Sequence, residues 1–87
     1  ANINAASDGT TPLYIACQKG HREIVEILIH HGAKIDVARE NGYTPLHAAC
    51  QEGFSEIAAI LISHGAKVDA ATKRGVTPIF LASRHGH

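Results

Sequence analysis

The phrase TPLYIACQKGH at 11–21 returns as TPLHAACQEGF at 44–54 and again as TPIFLASRHGH at 77–87, each time 33 residues further on. A fixed period of this length marks an array of stacked supersecondary units and restricts the fold more than any local pattern does. Set side by side without gaps, 7–39 and 40–72 are identical at 19 of 33 positions, among them Gly9/Gly42, Thr11/Thr44, Pro12/Pro45, Leu13/Leu46, Gly20/Gly53, Ile27/Ile60, Leu28/Leu61, Gly32/Gly65 and Asp36/Asp69. Residues 73–87 repeat the first half of the unit, with Gly75, Thr77, Pro78, Ala82 and Gly86 in register. The opening ANINAA at 1–6 reads as the tail of a preceding unit, matching AKIDVA and AKVDAA. It departs in one respect: Asn4 stands five residues before Gly9, where Asp36 and Asp69 stand six before their glycines. The first loop is one residue short.

Each unit predicts two short helices and a loop. Thr11, Thr44 and Thr77 are placed to cap a helix, the hydroxyl accepting an N–H that has no partner in the first turn. The proline that follows suits the first helical position because its missing donor costs nothing there. Gly20, Gly53 and Gly86 supply the positive φ of a helix stop. A second helix is expected from about Arg22 to His30 and from about Ser55 to Ser63, ended by Gly32 and Gly65. Its apolar faces would be Ile24, Val25, Ile27 and Leu28, and then Ile57, Ala58, Ile60 and Leu61. The connections 33–43 and 66–76 carry alternating apolar residues and a late glycine, which predicts extended, hairpin-like turns. Helices this short are marginal alone in water. Equivalent units set side by side remove the difficulty, since the face of one becomes the wall of the next. Small residues at Ala16, Ala49 and Ala82 let neighbouring first helices approach closely.

The unit G-x-TPLHxAxxxG-x-x-EI-x-x-x-L-x-x-x-GA-x-(V/I)-(D/N) resembles the ankyrin repeat over essentially the whole chain. The chain is read as the tail of one repeat at 1–6, full repeats at 7–39 and 40–72, and the first half of another at 73–87. Tyr14 and Phe80 stand where His47 is typical; Arg39 and Thr72 replace an Asp at the loop start; Asp36 and Asp69 replace the commoner Asn. These departures are expected to weaken individual loop hydrogen bonds. The resemblance implies an all-α solenoid of stacked antiparallel helix pairs with projecting β-hairpin-like loops. Its fingertips and first helices would form a concave surface that grips another protein. Carried onto this sequence, the fingertip positions are Ser7, Asp8 and Thr10, then Glu40, Asn41 and Tyr43, then Lys73, Arg74 and Val76. The first-helix positions are Gln18 and Lys19, Gln51 and Glu52, Arg84 and His85, with His31 and His64 at the edge. The expected contact set is Asp8, Thr10, Lys19, Glu40, Asn41, Tyr43, Gln51, Glu52, Lys73, Arg74 and Arg84. Most of these differ between units while the scaffold repeats. Tyr43 is expected to be the anchor, as an exposed aromatic gives much contact area at low entropic cost. It could equally lie across its own hairpin. Polar fingertips, and the basic run Lys73, Arg74, Arg84 and His85, are also what solvation alone would place there, although the run suits an acidic partner surface.

Composition narrows the alternatives. Lys plus Arg and Asp plus Glu both number 8, so no overall field draws the chain to nucleic acid or to an anionic membrane. The longest apolar run, such as IAAILI at 57–62, is a third of the roughly 20 residues a bilayer span needs. Two cysteines do not make a disulfide scaffold and point to an intracellular home, the cytoplasm being expected and the nucleus left open. Cys17 and Cys50 occupy equivalent positions one unit apart, about 8–10 Å by helix packing, which is beyond disulfide reach. Buried free thiols are expected. Seven histidines do not make a metal site: His47 is expected to tie the helix start to loop backbone, and no CxxC or HExxH spacing exists. No cofactor is expected, and no paired-carboxylate, nucleophile–base or phosphate-loop pattern is present.

The sequence therefore leads to a non-catalytic module binding a partner protein. A purely structural spacer within a longer array is the alternative, and a catalytic or metal-binding domain on a helical scaffold the weakest reading. The ends carry a further expectation: a fragment of a longer natural solenoid, marginally stable, in which Ile79 and Leu81 remain uncovered and uncapped end faces can stack on another copy.

Overall fold

The computed structural model describes residues 10–84, and of Arg84 the backbone only. Five helices follow one another: α1 (Pro12–Lys19), α2 (Arg22–His30), α3 (Pro45–Glu52), α4 (Ser55–Ser63) and α5 (Pro78–Arg84). No strand occurs among the described residues. Within each pair α1 packs on α2 and α3 on α4; between units α1 packs on α3, α3 on α5 and α2 on α4. The first helices thus form one row and the second helices another. The chain is an all-α solenoid.

The starts and stops are local chemistry. Thr11, Thr44 and Thr77 accept the backbone N–H three residues on, from Tyr14 at 3.2 Å, His47 at 3.4 Å and Phe80 at 3.2 Å. At the other end of α1 and α3, Gly20 and Gly53 take φ of 79° and 76°. The chain then turns back, so that His21 N–H reaches the Ala16 carbonyl at 3.0 Å and Phe54 N–H the Ala49 carbonyl at 2.9 Å. α2 and α4 close through left-handed Gly32 and Gly65, with Ala33 N–H on Leu28 O and Ala66 N–H on Leu61 O.

Burial follows the stacking. Leu13, Ala16 and Cys17 of α1, Leu46, Ala48 and Ala49 of α3, and Val25, Ile57 and Leu61 of the second helices form one continuous core. Two apolar positions differ from the sequence expectation. Ile24 and Ile27, assigned to the buried face of α2, are 47% and 56% exposed. Their counterparts Ile57 and Ile60 are buried and half-buried, because α2 lies along α4 while no described helix lies on the other side of α2. The third unit needs the opposite correction. Ile79 is exposed as expected, but Leu81 is only 4% exposed, since α5 turns that side chain toward α3.

The loops are hairpin-like fingers closed by backbone rather than by strand pairing. Arg39 N–H donates to Tyr43 O at 2.8 Å in one, and Thr72 N–H to Val76 O at 2.9 Å in the next. Two departures from the family pattern keep the hydrogen bonds they were expected to weaken. Thr72 Oγ1 accepts from Arg74 N–H and Val76 N–H, and Asp36 Oδ1 accepts from Lys67 N–H of the following unit.

His47 links a helix start to the next finger. Nδ1 accepts from Thr44 N–H at 3.1 Å, completing a capping box, and Nε2 lies 2.9 Å from the Val76 carbonyl. A ring accepting at Nδ1 and donating at Nε2 is neutral. Burial lowers its pKa from 6.5, with the Val76 and Ala70 backbone pulling the other way. The unfolded chain therefore takes up this proton first as pH falls. The stability contribution is complete above about pH 6.5 and is lost as pH falls below that value toward the lower folded-state pKa. The melting temperature should accordingly drop between pH 7.5 and pH 5, with a visibly smaller drop in His47→Gln. Equal slopes in the two proteins would remove His47 from this role.

Candidate functional site

The two described fingers and the exposed side of the first helices enclose a solvent-open groove of about 580 Å³. Its floor is helical: Tyr14 and Gln18 come from α1 and Gln51 from α3. The side wall is made by the fingers, with Arg39, Asn41 and Tyr43 from one and Thr72, Lys73, Arg74 and Val76 from the next. The fingers are joined. Lys73 N–H donates to the Asn41 carbonyl at 3.1 Å, which ties the two tips into one ridge. Asn41 also accepts Tyr43 N–H on its side-chain oxygen at 3.0 Å, which fixes the turn.

Of the expected contact residues, the groove brings together Asn41, Tyr43, Gln51, Lys73 and Arg74. Lys19, Glu40 and Glu52 are exposed but do not line it. Thr10 is half-buried and also lies off it. Asp8 and the side chain of Arg84 lie outside the described residues. Tyr43 is half-buried rather than freely exposed, its ring 5.2 Å from that of His47 and tilted by 45°. It leans on its own repeat.

Sequence reasoning missed Arg39 and Tyr14. Both were read as departures from the scaffold pattern, yet they meet: the Arg39 guanidinium carbon lies 5.2 Å from the centre of the buried Tyr14 ring. Such a contact holds a cation in place at the groove. The signal was available, since one unit carries two unusual residues at positions otherwise given to loop structure.

A second groove, of about 390 Å³ and mainly apolar, lies between α4 and α5, with Cys50, Ile62, Val68 and Ile79 among its lining. Neither thiol offers a nucleophile. Burial pushes Cys17 up to about 12 and raises Cys50, which is half-buried rather than fully enclosed, so both are protonated near neutrality. Among the described residues no group of three or more His, Cys, Asp or Glu could hold a metal ion, and no helix is long and apolar enough to cross a membrane.

The comparisons with known proteins agree with this architecture. A profile described as "Ankyrin repeats (3 copies)" matches residues 34–87, and one described as "Ankyrin repeat" matches residues 8–40. The chain is 56% identical over 36 residues to an ankyrin repeat and KH domain-containing protein of Caenorhabditis briggsae. That match covers 39% of this chain and 1% of the relative. Repeats of this family generally serve as protein–protein interaction modules and are typically non-enzymatic. With two capped helix pairs stacked in register, a third begun, and fingers between them, the chain belongs to the ankyrin-repeat family.

Proposed function

We propose that this segment is a non-catalytic protein-binding module whose contact surface is the groove between the fingers and the first helices. The observation that supports the reading is convergence. Side chains from α1, α3 and two successive fingers meet at one open, mixed polar and apolar wall, while the repeated residues Leu13/Leu46 and Ala16/Ala49 are consumed by the core. Finger positions that differ between units, Arg39/Thr72, Asn41/Arg74 and Tyr43/Val76, line the groove. A spacer has no need of that arrangement.

Gln18 and Gln51 test the reading cleanly, because both are exposed, uncharged and on the groove floor. A partner captured by the wild-type chain should bind Gln18→Ala/Gln51→Ala roughly tenfold or more weakly, as expected for central interface positions. The melting temperature should stay within about 2 °C, as surface changes are generally worth less than about 0.5 kcal/mol. A captured partner that binds both proteins equally would leave the spacer reading in possession.

A further inference from the structure

We propose that the finger wall of the groove is a proton switch: one proton added to the His47 ring releases Tyr43 and Val76 from their places in the wall. That a bound partner is then let go rests on the groove being the binding surface; the movement of the wall does not. His47 is fully buried at the start of α3 and lies behind the groove rather than in its lining. Two lining residues hang on its ring. Tyr43, whose own ring sits 5.2 Å from the imidazole, directly precedes Thr44, whose N–H donates to Nδ1 at 3.1 Å. Val76, at the same position of the next finger, has its carbonyl 2.9 Å from Nε2. The Tyr43 and Val76 carbonyls also close their own fingers, accepting from Arg39 N–H and Thr72 N–H. One imidazole therefore grips the equivalent point of two successive fingers. Tyr14 and Phe80 stand at its position in the neighbouring units, so no second imidazole shares the task.

Each ring nitrogen is committed. The neutral ring accepts at Nδ1 and donates at Nε2, so an added proton goes to Nδ1. Thr44 Oγ1, 2.8 Å away, can accept the new N–H. Thr44 N–H then faces a donor and loses its acceptor, which is costly in a buried site. Thr44 must shift to recover a partner, and Tyr43 is bonded to it. A buried positive charge also draws the ring toward water and away from the Val76 carbonyl.

The surroundings offer that charge no counter-ion among the described residues. Its own finger presents the Tyr43 ring, with Arg39 and Glu40 further out. The next finger presents the Ala70 and Val76 backbone, with Asp69, Lys73 and Arg74 beyond. α1 carries Tyr14 and Cys17, and α5 the uncharged Phe80. Burial and the two backbone bonds account for the lowered pKa of the folded ring. Opening the wall returns the ring toward its ordinary 6.5, so the proton binds the open form more tightly and acid populates it. The gain is bounded at about tenfold one pH unit below that value. Above 6.5 the wall stays closed.

Amide spectra of the labelled, partner-free chain between about pH 7.5 and pH 5 test this. The folded-state signals of Arg39, Tyr43, Thr44, Thr72 and Val76 should move together with one midpoint below 6.5, matching that of the His47 ring carbons. In His47→Gln these signals should stay still, while amides beside His31 and His64 titrate in both proteins. A residue that serves stability alone would leave the folded-state signals fixed until the chain unfolds. Stationary finger amides in the wild type, or finger amides that move equally in His47→Gln, overturn the proposal. Should His47→Gln fail to fold, the wild type decides: a finger midpoint that differs from that of the His47 ring overturns it. No partner enters this titration, so its failure leaves the groove's binding role to the Gln18→Ala/Gln51→Ala comparison.

Discussion

Ile57→Ala should cost about 2–5 kcal/mol, the range for emptying a buried isoleucine site. Ile24→Ala, at the same register of the preceding second helix, should cost less than about 1 kcal/mol. The two residues share chemistry, helix type and position within the 33-residue unit. They differ in what lies beside them. Ile57 is 3% exposed because α2 packs along α4, whereas Ile24 remains 47% exposed. For a chain of this size each kcal/mol moves the midpoint by roughly 4–8 °C, so Ile57→Ala should lower it by about 10 °C or more. Urea or thermal unfolding of the pair measures this directly. Equal costs would mean that each helix pair buries its own face, and the stacking argument would fail.

The second large effect concerns the fingers. Gly42 has φ of +88°, and a Cβ built there would sit 2.9 Å from Thr72 Cα and 3.1 Å from Lys73 N. Those are backbone atoms of the neighbouring finger and cannot step aside as a flexible side-chain tip would. Gly75 has φ of +80° and nothing within 4 Å. Alanine at either position meets the left-handed penalty of about 1–2 kcal/mol. Gly42→Ala alone adds overpacking, about 1–3 kcal/mol more. It should also push apart the tips joined by Lys73 N–H and Asn41 O, so binding should fall beyond what lost stability explains. Gly75→Ala controls for the backbone penalty. If the two variants melted together, close contact between fingers would play no part in holding the groove.

The repeat sequence dictated much of this fold because its signals are local. Threonine caps and first-turn prolines mark the starts of α1, α3 and α5, and the glycines on either side together with the apolar pattern placed α2 and α4 at the bounds observed, Arg22–His30 and Ser55–Ser63. What an apolar residue faces is not local. Ile24 and Ile57 belong to the same pattern, and only the neighbour decides which is wet. Leu81 shows the converse, an end residue covered by the row of first helices. At the groove, the positions carried over from the family resemblance include Asn41, Tyr43, Gln51, Lys73 and Arg74, which do line it. The resemblance could not say which way each side chain leaves a turn, so Glu40 was grouped with them although it does not line the wall. Arg39 and Tyr14 escaped because each alone reads as a scaffold defect; their pairing exists only once the finger folds over α1.

The central claim is that a protein partner lies in the groove between fingers and first helices. Backbone chemical-shift mapping of the labelled chain with its captured partner tests that most directly. Shifts concentrated at Gln18, Asn41, Gln51, Lys73 and Arg74, with α2 and α4 quiet, are the predicted result. Perturbations centred on the second helices, around Ile27 and Ile62, with the groove unchanged, would contradict it.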